Sequence, residues 1–274
     1  MVNVGVNKIA TQAGNIRLMN NLEADLRDRL NKKPILLMTH LVLGYPSLDT
    51  NYEVIRQMAE NGVDCIEMQI PFSEPMADGP IIVAANQKSL SKGITVEDSF
   101  QFAERVIKEF PQVNFLFMTY YNIVFRYGEE RFIKRSTDIG IKGFIVPDLP
   151  PEEGETYIRI SKEHGMAPIQ FFTPTSSDER MREVAAIGGG FIYCVARRGV
   201  TGTKLELDTD LVQYLQRCRA ATELPLAVGF GISSREDIQM LTGKVEMAVI
   251  GTATIRLVDE KGADKVASFM KKLQ

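Results

Sequence analysis

Eight short apolar runs recur along the chain, each closed by turn residues and most followed by a segment of helical periodicity. They are Ile35–Val42, the first half of Val63–Pro80, Val113–Thr119, Ile141–Val146, Ala167–Phe172, Gly190–Val195, Leu224–Val228 and Val245–Ile250. Strands that are apolar on both faces belong to parallel sheets covered by crossover helices. Eight such units in 274 residues predict an α/β chain closed into a (β/α)8 TIM barrel. The expected layout is one domain over 1–274, with 1–33 as an N-terminal segment and a helix capping the barrel floor. That extra helix is read from about Ile16 to Lys33, where Leu18, Leu22, Leu26 and Leu30 repeat every four residues. An open doubly wound sheet is the alternative, but the first strand-to-helix turn, Gly44-Tyr45-Pro46-Ser47, lacks the GxGxxG fingerprint.

Local signals place the helices. Ser47 can cap a helix running to Asn61, and Thr95 with Asp98 caps one whose Val96, Phe100, Ala103, Ile107 and Phe110 form an apolar stripe. Between the second strand and Thr95 a long loop is expected. Glu129–Ile139 reads as a helix, the Pro150-Pro151 pair as the opening of another, and Ser176 with Glu179 as a capping box.

Several function classes are disfavoured by composition. A formal charge of −3 without a basic stripe argues against nucleic acid, and no apolar run reaches membrane-spanning length. No secretory signal precedes the first elements, and the three cysteines, Cys65, Cys194 and Cys218, form no CxxC pair, so a reducing cytoplasm is expected. His40 and His164 are the only histidines, and no lysine ends a predicted strand, which argues against a metal or Schiff-base site. His40 reads as a pocket wall or a satisfied core residue.

Chemistry concentrates in two places. Alternation along the second strand sets Ile66, Met68 and Ile70 on one face and Cys65, Glu67 and Gln69 on the other. An unpaired buried charge costs several kcal/mol, so Glu67 must be protonated, paired or used. Pro71, Pro75 and Pro80 break the strand, and the loop delivers a second carboxylate, Asp78. A strand carboxylate and a loop carboxylate suit acid/base chemistry at a barrel mouth, whereas a structural salt bridge at Glu67 and a turn role for Asp78 are the bland alternative. The last three strands run into Gly199 and Gly202, Gly229 and Gly231, and Gly251 with Thr252. Such turns bring backbone N–H groups against an anion, and together they predict a phosphate cradle, although each glycine can also serve a tight turn alone.

Taken in order, Ile-Pro-Phe-Ser-Glu-Pro-Met-Ala-Asp-Gly-Pro, Met-Thr-Tyr-Tyr-Asn, Pro-Asp-Leu-Pro, Arg-Gly-Val-Thr-Gly and Val-Gly-Phe-Gly-Ile-Ser resemble the tryptophan synthase alpha chain family from about Leu36 onward. The resemblance implies retro-aldol cleavage of indole-3-glycerol phosphate into indole and glyceraldehyde 3-phosphate. It puts Glu67 and Asp78 on the catalytic glutamate and aspartate, with Tyr193 beside them. Tyr120, Asp148, Thr201 and Phe230 fall on substrate-pocket positions, and Gly202, Gly231, Gly251 and Thr252 on the phosphate site. It further implies no cofactor in this chain, and a pyridoxal-phosphate beta chain as partner in an alpha2beta2 heterotetramer. Gln69 stands where the family usually has glycine, so it is expected either to crowd the pocket or to hydrogen-bond Glu67. Glu74 replaces an aspartate on the partner-facing loop, and Thr252 replaces a serine. Another phosphosugar lyase or isomerase, or a catalytically weakened ligand-binding subunit, remain the alternative functions.

Overall fold

The computed structural model describes residues 8–10, 16–195, 209–229 and 231–274. A short antiparallel pair, β1 (Lys8–Ala10) and β2 (Ile16–Leu18), precedes eight parallel strands. These are β3 (Leu36–Val42), β4 (Cys65–Gln69), β5 (Asn114–Met118), β6 (Gly143–Ile145), β7 (Ala167–Phe172), β8 (Ile192–Val195), β9 (Leu226–Gly229) and β10 (Met247–Ile250). Each pairs with the next in sequence, and β10 pairs with β3, so the sheet closes as an eight-stranded barrel.

Closure divides the strand side chains into two cores by parity. Leu37, Leu41, Ile66, Met68, Phe115, Phe117 and Phe144 face outward, where Val54, Phe100, Val106 and Phe132 of the helices cover them. Phe132 touches Phe100 edge-on at 5.3 Å and Phe144 at 5.6 Å between ring centroids, an aromatic layer in which each buried ring contributes roughly 2–3 kcal/mol. Leu36, Met38, Cys65, Leu116, Met118, Ile145, Ile169, Met247 and Val249 face inward and fill the barrel. The floor is shut by helix Asn21–Leu30, whose Leu22 and Leu26 join that inner cluster.

The N-terminal helix is shorter than the leucine spacing predicts. Asn20 ends the preceding extended chain and caps the helix, its side chain accepting from Glu23 N–H at 2.8 Å, and Leu18 belongs to β2 instead. The expected long loop before Thr95 contains helix Pro80–Ser91, with Gly79 at its cap and the proline in its first turn, where a missing N–H is harmless. Helix Tyr121–Tyr127 was not expected either. Ser47 caps Leu48–Glu60 and Thr95 caps Val96–Glu109 through a full capping box, as predicted. Two capping expectations fail. The Ser176 hydroxyl is drawn to Thr173, so Ser177 caps Asp178–Ile187, and Pro150-Pro151 make turns that leave Gly154 to start Glu155–Glu163.

Candidate active site

Three adjacent inner positions of β3 and β4 set the site. In the β3–β4 register His40 lies opposite Glu67, and Val42 opposite Gln69. Glu67 is 4% exposed, and its Oε1 lies 3.4 Å from His40 Nδ1. Burial, the largest influence on His40, lowers its pKa. The Glu67 carboxylate, and then Asp78, outweigh it, so the imidazole is held above its ordinary value. His40 is thus the partner of Glu67 rather than a pocket wall.

Asp78 is fixed by the loop and by the helix after it. Ile70 N–H donates to Met118 O, Phe72 N–H to the buried Asn86 of helix Pro80–Ser91 at 2.9 Å, and Asp78 N–H to Pro75 O. The Tyr120 hydroxyl accepts from Ala77 N–H at 3.1 Å and donates to Asp78 Oδ2 at 2.9 Å, while its ring stacks on Phe72 at 5.0 Å. Gln69 Nε2 donates to the same Oδ2 at 2.7 Å. The expected hydrogen bond of Gln69 therefore goes to the aspartate, because the loop folds Asp78 back over β4. Burial raises the Asp78 pKa, and the two hydrogen bonds and His40 oppose that rise.

Tyr193 projects inward from β8, half-buried, with Phe171 at 5.7 Å. Burial, then the charges of Glu67 and Asp78, push its phenol well above the ordinary value, so it stays protonated facing both carboxylates. Gly229 makes room for it: a Cβ there would lie 2.5 Å from the Tyr193 hydroxyl.

Asp148 has a different setting. Both its oxygens accept from Tyr121 N–H, at 2.9 and 3.1 Å, anchoring the start of helix Tyr121–Tyr127, whose own cap position, Tyr120, supplies no capping side chain. It also lines a cavity of about 250 Å³ with Leu149, Gln170, Phe171, Phe172 and Arg180. Its charge reaches the Tyr120 phenol, whose pKa is raised first by burial and then by Asp78.

The two described glycine turns are unlike each other. After β9, Gly231 adopts φ of 81°, but Ser233 and Ser234 N–H both donate to buried Asp237, and Ser234 caps helix Arg235–Leu241. That helix start already carries its own side-chain cap. After β10, Gly251 opens helix Thr252–Lys261 with no side-chain cap, and a Cβ on Gly251 would sit 3.6 Å from His40 Cβ. The open helix start thus adjoins the His40–Glu67 pair. Thr201, Gly202 and Phe230 lie outside the described residues. Among the described residues no group of three or more His, Cys, Asp or Glu is placed to hold a metal, and no helix is long and apolar enough to cross a membrane.

Comparison with known proteins gives matches in both sequence and fold. A solved tryptophan synthase structure from Mycobacterium tuberculosis superposes with a TM-score of 0.85 at 28% identity, over 93% of this chain and 97% of that one. The tryptophan synthase alpha chain of Desulfotalea psychrophila is 59% identical over 253 residues, covering 92% of this chain and 99% of that relative. That of Syntrophotalea carbinolica is 51% identical, covering 92% and 100%. The family model described as tryptophan synthase alpha chain matches residues 26–274. An end-to-end match of that depth, on a barrel with two inner carboxylates at its mouth, means that the chain belongs to the tryptophan synthase alpha chain family.

Proposed function

We propose that the chain cleaves indole-3-glycerol phosphate to indole and glyceraldehyde 3-phosphate, with Glu67 as the acid/base and Asp78 as the partner of the indole nitrogen. The observation that carries this reading is the pair itself: one carboxylate on a barrel strand, the other looped back over it, both facing the Tyr193 phenol. The reaction needs a proton on indole C3, which leaves positive charge on the ring nitrogen. A base then takes the proton of the glycerol hydroxyl beside the scissile bond, and the carbon–carbon pair of electrons returns to the ring. One proton leaves the hydroxyl and one reaches C3, so a single carboxylate can serve both ends. Asp78, held from one side by Tyr120 and Gln69, is set to offset the ring charge without moving. Tyr193 packs over the same space as a neutral hydroxyl. Incubating the purified chain with indole-3-glycerol phosphate should release free indole; none at any protein concentration would refute the reading.

The phosphate is assigned to Gly202, Gly231, Gly251 and Thr252, with Thr201, Phe230, Tyr120 and Asp148 around the rest of the substrate. The uncapped start of helix Thr252–Lys261 supports this, since free N–H groups and the helix dipole favour an anion. Gly231→Val should raise KM about tenfold with a smaller change in kcat, because no branched side chain tolerates φ of 81°. Unchanged KM and a phosphate bound elsewhere in a soaked crystal would remove the cradle.

The family works without a cofactor in this chain. The finer assignment is a pyridoxal-phosphate beta chain docked over the mouth in an alpha2beta2 assembly, in the cytoplasm. Met76, 77% exposed on the loop that carries Asp78, and Phe125, 65% exposed on the neighbouring helix, support a partner there. Mixing the two subunits should give co-migration on size exclusion and a faster lyase rate; separate elution with an unchanged rate would count against it.

A further inference from the structure

Two buried polar atoms in the inner layer have no hydrogen-bonding protein partner: His40 Nε2 and Gln69 Oε1. Their residues are 5% and 0% exposed. The amide of Gln69 is oriented by its neighbour, because a carboxylate oxygen only accepts, so the atom 2.7 Å from Asp78 must be the nitrogen. Its oxygen therefore points elsewhere. On His40, Nδ1 lies 3.4 Å from Glu67, which leaves Nε2 at the other side of the ring. The register makes His40 and Gln69 diagonal neighbours, both directed inward on adjacent strands. A ring nitrogen and an amide oxygen, neither yet hydrogen-bonded to any protein group, thus belong to diagonal neighbours in the inner layer.

We infer that His40 and Gln69 are positioning residues that join the two carboxylates into one hydrogen-bonded chain, running Glu67, His40, Gln69, Asp78. An imidazolium at His40 donates from Nδ1 to Glu67 and from Nε2 to Gln69 Oε1, and Gln69 donates from Nε2 to Asp78. The inference rests on the reading of Glu67 and Asp78 as the reacting pair. Its effect is to place one positive charge between two acids and to hold their side chains in one orientation relative to each other. Among the described residues, the titratable groups facing this space are Glu67 of β4, Asp78 of the following loop and Tyr193 of β8, and on the β10 side Gly251 lies beside His40. The Gln69 amide is also among the groups that favour the charged imidazole.

The chain has two histidines, His40 and His164, so a histidine-labelled sample gives two ring signals that His40→Asn assigns. His40 should titrate above the ordinary value of about 6.5. Its midpoint should fall in Gln69→Leu and fall further in Glu67→Gln, with His164 unmoved. The pH profile of indole release should carry a step at the same midpoint, absent from His40→Asn. In the wild type, which needs no substitution to fold, the Nε2 proton should exchange more slowly than that of His164. A midpoint that Gln69→Leu leaves in place, or an Nε2 proton exchanging as fast as that of His164, overturns the chain. Because the titration does not depend on turnover, it separates failure of this link from failure of the lyase reading, which the release of indole tests alone.

Discussion

Glu67→Gln is expected to leave a folded protein that binds substrate and turns it over at a rate lower by on the order of 10³- to 10⁴-fold, about 4–5 kcal/mol of transition-state stabilisation. The substitution is nearly isosteric, so it opens no cavity among Met38, Cys65 and Leu116 of the inner core. What it removes is the group that exchanges a proton. KM should change little, because the carboxylate acts on the bond being broken and not on the phosphate or the ring. Steady-state indole release with a parallel binding titration checks both parts. A variant with a rate within tenfold of the wild type would show that Glu67 is not the acid/base.

Asp78→Asn should lower turnover by roughly 10²- to 10³-fold, and for a reason that the hydrogen bonds make specific. One oxygen of Asp78 already accepts from Gln69 at 2.7 Å and from Tyr120 at 2.9 Å. Both are donors, so the asparagine oxygen has to take that place, which turns its NH2 toward the substrate. The ring N–H then faces a donor where it had an anion. Charge and acceptor are lost together, and both kcat and substrate affinity should fall. Asp78→Glu keeps the charge but moves it by one methylene, and should be milder. If Asp78→Asn lost only affinity, with kcat intact, the aspartate would be a binding residue without a part in offsetting ring charge.

The barrel was legible because its signal is repeated: eight apolar runs of strand length are hard to bury in any other way, and the parity along Cys65–Gln69 placed Glu67 inside. Where the reading failed, the deciding contacts were remote. Helix Tyr121–Tyr127 carries no capping side chain of its own, and its first N–H is met by Asp148, 27 residues on. The Ser176 hydroxyl had the right spacing from Glu179 for a cap, but Thr173 competes for it at 2.9 Å. Helix Pro80–Ser91 was announced by its glycine and proline, and the breaker reading of Pro80 obscured that. Gln69 could be assigned to the same face as Glu67 from parity alone, yet which carboxylate it serves depends on how the loop from Ile70 to Gly79 folds back. His40 was underestimated for the same reason, since nothing near it in sequence reveals that Glu67 lies opposite.

The closed register of β3, β4 and β5 has a consequence for how such a chain can change. Parity acts as a reading frame: His40, Glu67 and Gln69 face the chemistry only because each is an even step from its neighbours. Inserting one residue within β4 would exchange Glu67 with Ile66 or Met68, sending an acid into the helix layer and an alkyl chain into the mouth. With no free edge along which the strand might slide, the error cannot be absorbed locally. Strands of this barrel are therefore open to substitution but closed to insertion, whereas the loops at its mouth can lengthen freely. New specificities should enter such a lineage as added loop residues, never as added strand residues.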